Sequence, residues 1–203
     1  MEKDIERSYA IAQELSNNYS RLSIENINVL AKMLVYMRFR KGAVVLKEGE
    51  TCKYIYFIDQ GMLRQCYRKN GKSVTEHIAY ENSMVMCIES LFRQIPSEIA
   101  IEALEPCRLY GIPYDTFCEL SHSSYEFCAL RFKFLEESLI LSQKKADTLR
   151  FESARERYLR TLHDHPDIIR RAPLHIVASY LQMTPETLSR VRTALSEEHE
   201  TKI

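Results

Sequence analysis

The chain has 203 residues, 45% of them hydrophobic and 28% charged, and its 28 Lys and Arg balance 28 Asp and Glu. Such proportions exclude wholesale disorder and fibrous repeats, and zero net charge excludes a uniformly basic nucleic-acid coat, though not a local patch. The start, Met1-Glu2-Lys3-Asp4-Ile5-Glu6-Arg7, alternates charges and is no secretory signal, and no run of eighteen apolar residues spans a bilayer. A soluble, cytoplasmic protein is expected.

Residues 1–24 predict one or two short helices. At Leu22-Ser23-Ile24-Glu25 a fresh helix starts, with Ser23 as N-cap and Asn26 at N3, so the reciprocal capping box is incomplete. This helix is expected to run on through 28–37. Residues 40–121 hold all five glycines, and between them lie short β-type runs at 43–46, 54–58, 62–67, 74–80, 99–104 and 108–112. Asn70-Gly71 joins two of these runs and takes the positive φ of a primed hairpin turn. Short strands punctuated by glycine predict a closed or sandwiched β structure rather than βαβ units.

Six cysteines (Cys52, Cys66, Cys87, Cys107, Cys118 and Cys128) include no C-x-x-C pair, so neither zinc nor an iron–sulfur cluster is predicted. Without an export signal disulfides are not expected either, and most of these thiols are read as small buried hydrophobes. From about Ser123 glycine vanishes. Over 124–150 Phe127, Leu130, Phe134, Leu141 and Thr148 recur at the spacing of one helical face. A helix of about 25 residues is roughly 38 Å long, more than a small domain needs, so this face is assigned to a homodimer interface. The alternative is a long core helix of a monomer. Lys144 and Lys145 argue for an irregular seam rather than a strict zipper.

Residues 154–163 form a short amphipathic helix with Tyr158, Leu159 and Leu162 on its apolar side, ending at His165-Pro166. Two helices follow, over 174–183 and from Thr184-Pro185-Glu186 onward. Thr184 is a good N-cap, Pro185 suits N1 and Glu186 suits the positive helix end. Ala178 supplies the small side chain a helix crossing needs, and Val177, Leu181, Met183, Leu188 and Val191 supply apolar contacts. This is a helix-turn-helix pattern, whose second helix enters the DNA major groove. Gln182 stands where such turns usually place glycine, at a cost of about 1 kcal/mol. The exposed face of the second helix holds Thr184, Glu186, Thr187, Ser189, Arg190 and Thr193, with Arg192 close by. Arg190 offers two donors to guanine, Glu186 accepts from cytosine, and the hydroxyls reach phosphates.

Residues 177–191, together with the glycine-marked region from Arg40-Lys41-Gly42 through Gly49 to Asp59-Gln60-Gly61, resemble the Crp/Fnr family of bacterial transcription regulators. The resemblance covers about 22–195. It implies an α+β chain with an N-terminal helical segment (1–24), a cyclic-nucleotide-binding-like jelly-roll sensor (25–122), a dimerisation helix (123–150) and a helix-turn-helix domain (151–203). It also implies palindromic double-stranded DNA, a second copy of the chain and RNA polymerase as partners. Glu186 and Arg190 fall on its base-reading positions, Thr184 and Ser189 on positions that touch phosphate.

Two departures modify this expectation. The effector positions of relatives that bind cyclic AMP fall here within Cys87, Ile88, Glu89, Ser97 and Glu98, where a cysteine replaces the ribose carboxylate and Glu98 repels a phosphate. Cyclic AMP is therefore not expected to bind, no cofactor is predicted, and the effector is unassigned. The family's iron–sulfur branch needs clustered N-terminal cysteines, whereas the first here is Cys52, and a lone His77 or Cys87 is a weak basis for haem. Second, the eight mostly polar residues after Leu195 cannot form the family's β-hairpin wing, which leaves DNA contact to the recognition helix and to Arg170, Arg171 and Arg192. Over 152–195 basic residues exceed acidic ones by two per protomer, so nonspecific binding is expected to be weak and dependent on the dimer. The runner-up reading is a ligand-binding or protein-interaction module whose helix-turn-helix no longer reads DNA. No enzyme is predicted, because Glu89, Glu98, His77 and Cys87 are joined by no catalytic order, metal spacing or phosphate loop.

Overall fold

The computed structural model describes residues 2–200, with side chains placed for 5–198; Met1 and residues 201–203 of the expected polar tail lie outside the described residues. The chain divides into two compact units, Met1–Gln65 with Ala79–Ile140, and Cys66–Ile78 with Leu141–Ile203.

Along the chain, α1 (Glu2–Asn18) and α2 (Ile24–Met33) precede strands β1 (Val35–Phe39), β2 (Val44–Leu46), β3 (Tyr54–Gln60), β4 (Leu63–Lys69), β5 (Lys72–Ala79) and β6 (Met84–Val85). Then come α3 (Ile88–Arg93), β7 (Ala100–Ala103), β8 (Cys107–Pro113), α4 (Tyr114–Ser123) and the long α5 (Tyr125–Phe151). The strands form two four-stranded sheets, ordered β1-β8-β3-β6 and β2-β7-β4-β5, which is the expected β roll. The central strand β3 is buried along almost its whole length. Ile55 and Phe57 share one core with Leu63, Ile101 and Leu109 of other strands, and with Ile11, Leu15, Leu30, Phe127, Leu130 and Phe134 of the helices. A strand covered on both faces carries a near-continuous apolar run rather than an alternating one, as Tyr54-Ile55-Tyr56-Phe57-Ile58 does.

Local signals behave as their chemistry dictates. The Ser23 hydroxyl accepts from the Asn26 N–H at 3.3 Å and caps α2. Asn70 and Gly71 take φ of 50° and 75° between β4 and β5. Gly61 has φ 102°, and a Cβ there would stand 2.6 Å from the Pro106 carbonyl oxygen, so only glycine fits. Asp59, buried at the end of β3, is held by Arg7 Nη2 of α1 at 2.5 Å and Arg108 Nε of β8 at 3.0 Å.

Three sequence expectations need correction. The helix expected over 28–37 ends at Met33, and Val35–Phe39 instead pairs antiparallel with β8, Met37 opposite Leu109; cross-strand pairing outweighs helical continuation there. Strand β6 and helices α3 and α7 were not foreseen, because each is shorter than a periodicity can mark. In α6, Tyr158 is buried but Leu159 and Leu162 are exposed, and Thr161 takes the inward position.

The second unit holds α6 (Ala154–Asp164), α7 (Pro166–Arg171), α8 (Leu174–Tyr180) and α9 (Pro185–Glu200). Ser153 and Glu156 make a full capping box on α6. Tyr158, Ile168, Ile176, Val177, Ala178, Leu181 and Leu188 form the buried interior of these helices.

Candidate nucleic-acid interface

The turn between α8 and α9 closes as a Schellman motif. Gln182 adopts φ 50°, its N–H donates to the Ser179 carbonyl at 3.0 Å, and the Met183 N–H reaches back to the Ala178 carbonyl at 3.0 Å. The sequence marked Gln182 as the strained position, and the structure shows the two hydrogen bonds that hold it there. A third support comes from Arg157 of α6, which donates from Nε to the Leu181 carbonyl at 2.8 Å and from Nη1 to the Glu152 carbonyl at 2.7 Å. Arg157 thus braces the turn, a role that a count of basic residues could not reveal. Arg160 and Arg155 are likewise occupied, pairing with Glu152 at 2.8 Å and Glu198 at 2.5 Å.

Helix α9 starts as its residues require: the Thr184 hydroxyl accepts from the Thr187 N–H at 3.2 Å, with Pro185 at N1. Leu188 is fully buried, and Val191 and Leu195, on the same face, are half-buried. Opposite them Glu186, Ser189, Arg190 and Thr193 are exposed and follow one another along one helical face. Thr187 is half-buried beside its cap, whereas Arg192 lies on the flank. There Arg192 and Arg170 border a cleft of about 250 Å³ floored by Val177 and Leu188. The Glu186 carboxyl is held below the usual range by its own backbone N–H, then by the Thr184 hydroxyl and by Arg190. Ionised Glu186 is acceptor-only and Arg190 donor-only, so the face offers both halves of a base-edge code. The sequence placed these residues correctly on one helix; separating the face from its flank took the structure.

Helix α5 shows a different surface from the one expected. Phe127, Leu130 and Phe134 lie in the protomer's own core, because their spacing marks a buried face without saying what buries it. Phe134 meets the Tyr19 ring edge-on at 4.9 Å between centroids. Leu141 and Thr148 continue that face, Leu141 exposed and Thr148 half-buried. The outward face instead carries Cys128, Phe132, Leu135, Leu139, Ser142, Ala146 and Leu149, alternately four and three residues apart. Phe132 is 60% and Leu139 72% exposed. This is an unpartnered heptad seam. Its signal was legible in the sequence but masked by the stronger inward stripe.

The five residues aligned with an effector pocket do not converge. Cys87 and Ser97 are buried, while Ile88, Glu89 and Glu98 are exposed. Ser97 is spent on local bonds, donating to the Ile99 carbonyl at 2.7 Å and accepting from the Ile99 N–H at 3.1 Å.

The tip of the β4–β5 hairpin belongs to the same unit as the helix-turn-helix. The Thr75 N–H donates to Ser179 Oγ of α8 at 2.8 Å, and Lys145 of α5 pairs with the Glu76 carboxylate and carbonyl. Between them, burial and then the charges of Lys145 and His165 push the His77 imidazole down to about 4, against an opposing pull from Glu76. A histidine kept neutral by folding takes up its proton more readily in the unfolded chain. Stability is therefore complete above the unfolded value near 6.5 and falls as pH drops from there towards 4, by at most about 3 kcal/mol. Thermal unfolding followed across that window is expected to show the slope, and His77→Gln to flatten it; equal slopes in the two proteins would exclude His77.

Comparisons with known proteins agree with this architecture. Residues 36–124 match the cyclic nucleotide-binding domain. An HTH-type transcriptional regulator, ArcR of Staphylococcus haemolyticus, is 24% identical over 127 residues, which is 62% of this chain and 55% of that protein; the match thus spans about half of the relative's length. Among solved structures, FixK2 from Bradyrhizobium japonicum superposes with a TM-score of 0.70 at 16% identity, covering 82% of this chain and 86% of that one. A Crp/Fnr-family regulator of Eubacterium rectale gives 0.66 at 16% identity, covering 87% and 85%. No helix among the described residues is long and apolar enough to cross a membrane. The chain carries a cyclic nucleotide-binding domain at residues 36–124 and has the fold of the Crp/Fnr transcriptional regulators.

Proposed function

We propose that this protein is a homodimeric, sequence-specific DNA-binding transcription regulator that does not respond to cyclic AMP. The observation that carries the reading is the exposed row Glu186, Ser189, Arg190 and Thr193 on a capped helix, braced behind its turn by Arg157. A helix held this rigidly can present base-specific donors and acceptors without ordering them at binding. The outward seam of α5 supports the dimer: two copies joined along it would present two recognition helices, and the target would be an inverted repeat with half-sites about 10 bp apart. Selection from randomised duplexes is the experiment, and recovery of no common repeat by a folded dimer would overturn the reading in favour of a module that no longer reads DNA.

The exclusion of cyclic AMP is supported by the same geometry that scatters the pocket residues. A cyclic phosphate requires a cation and a ribose requires an acceptor pair; Ser97 is internally bonded, Cys87 is a thiol, and Glu98 faces solvent. Calorimetry with cyclic AMP is expected to show no heat of binding, and micromolar affinity would reverse this part of the proposal.

A further inference from the structure

Two thiols of the β roll lie side by side in a position that neither packing nor DNA recognition requires. Cys52 immediately precedes β3 and Cys87 immediately follows β6. These strands pair antiparallel, Tyr56 opposite Val85 and Phe57 opposite Met84, which brings their flanking residues together. The Cys52 N–H donates to Ser90 Oγ of α3 at 2.9 Å, and Ser90 donates on to the Ile95 carbonyl at 2.6 Å, so the loop bearing Cys52 is tied to the first turn of α3, which Cys87 caps. The two side chains are hydrogen-bonded to each other. Gln65 of β4 approaches from a third strand, its Nε2 donating to the Met86 carbonyl at 3.0 Å and standing 3.7 Å from Cys87 Sγ.

These contacts make the pair chemically unequal. The Cys52 S–H, Ser97 and Gln65 donate to the Cys87 sulfur and, against its burial, bring it down to about 7, whereas its partner's hydrogen bond and burial push Cys52 up. Cys87 is therefore the nucleophile and Cys52 the proton donor and resolving thiol. Cys107, buried without such donors from side chains, is pushed up to about 11 and serves as an internal control.

We propose that Cys52 and Cys87 form a redox-active dithiol that a hydroperoxide converts to an intramolecular disulfide. The Cys87 thiolate attacks the peroxide, forming an S–O bond as the O–O bond breaks, and the departing hydroxide takes the Cys52 proton to become water. The Cys52 thiolate then attacks Cys87 Sγ. An S–S bond forms, the S–O bond breaks, and the hydroxide released recovers the proton first lost by Cys87. The two thiols lose two electrons and two protons, and hydrogen peroxide becomes two waters. Cys87 is 2% exposed but lies next to Ile88 and Glu89 at the surface, and the oxidant is little larger than water. The proposal stands apart from the DNA-binding reading, and its test detects sulfur rather than DNA.

The full chain is treated with hydrogen peroxide, its remaining thiols are alkylated, and its peptides are analysed by mass spectrometry. The expected product is one cross-linked species joining the Cys52 and Cys87 peptides, lighter by two hydrogens and separated by dithiothreitol, while Cys107 remains alkylatable. Because the thiolate fraction of a group ionising near pH 7 grows with pH, the rate is expected to rise roughly tenfold between pH 6 and pH 8. In Cys52→Ser, Cys87 is expected to stop at the sulfenic acid and react with dimedone; the wild-type result decides the matter even if that variant does not fold. Alkylation of both thiols after the exposed Cys128 has been fully oxidised would overturn the proposal. So would progression of Cys87 to the sulfinic acid without a cross-link.

Discussion

Leu139→Lys is expected to leave the protein folded and monomeric. Leu139 is 72% exposed at the centre of the α5 seam, between Leu135 and Ser142, so a lysine there costs the single protomer almost nothing. In a two-fold pair each Leu139 meets its copy, and burial of a leucine is worth about 1.5–3 kcal/mol. Losing both, and facing two ammonium groups across the seam, weakens association by roughly 10²–10⁴-fold. Sedimentation of wild type and variant at equal concentration measures the shift. Leu141→Lys is the discriminating control, because Leu141 belongs to the inward stripe and is expected to leave the dimer intact. A dimeric Leu139→Lys protein, or a monomeric Leu141→Lys protein, would move the interface back to the face that periodicity alone chose.

Arg190→Ala should abolish sequence discrimination while sparing the fold. Arg190 is exposed on the outward face of α9, remote from buried Leu188, and its loss opens no cavity. A bidentate contact to a base edge is worth about 1–3 kcal/mol, so two half-sites together lose about 2–6 kcal/mol and the specific gel shift weakens by 30-fold or more. Arg192→Ala provides the contrast. From its flank position beside Arg170 it is suited to phosphate, and its removal is expected to weaken all duplexes alike and to lower the salt dependence. If Arg190→Ala binds the selected repeat with unchanged affinity and selectivity, the outward face is not the reading face.

What the sequence determined by itself was everything carried by neighbours in the chain. The Ser23 and Thr184 caps, the Asn70-Gly71 turn, Pro185 at N1 and the strain at Gln182 depend on two to five consecutive residues, and each appears where its chemistry places it. The order of β roll, long helix and helix-turn-helix was equally legible, because strand, long-helix and turn signals occupy separate stretches. Only the tertiary structure decided which side of an amphipathic element meets what. Phe127, Leu130 and Phe134 form an apolar stripe whether a second copy or the protomer's own β roll covers it, and the core of the first unit shows that it is the latter. Arg157 looked like one more cation until its guanidinium was found on the Leu181 carbonyl, and Cys52 and Cys87 became a pair only when β3 and β6 came together. The physical reason is common to all three: burial and long-range hydrogen bonds depend on which segments meet, and local periodicity carries no information about the partner.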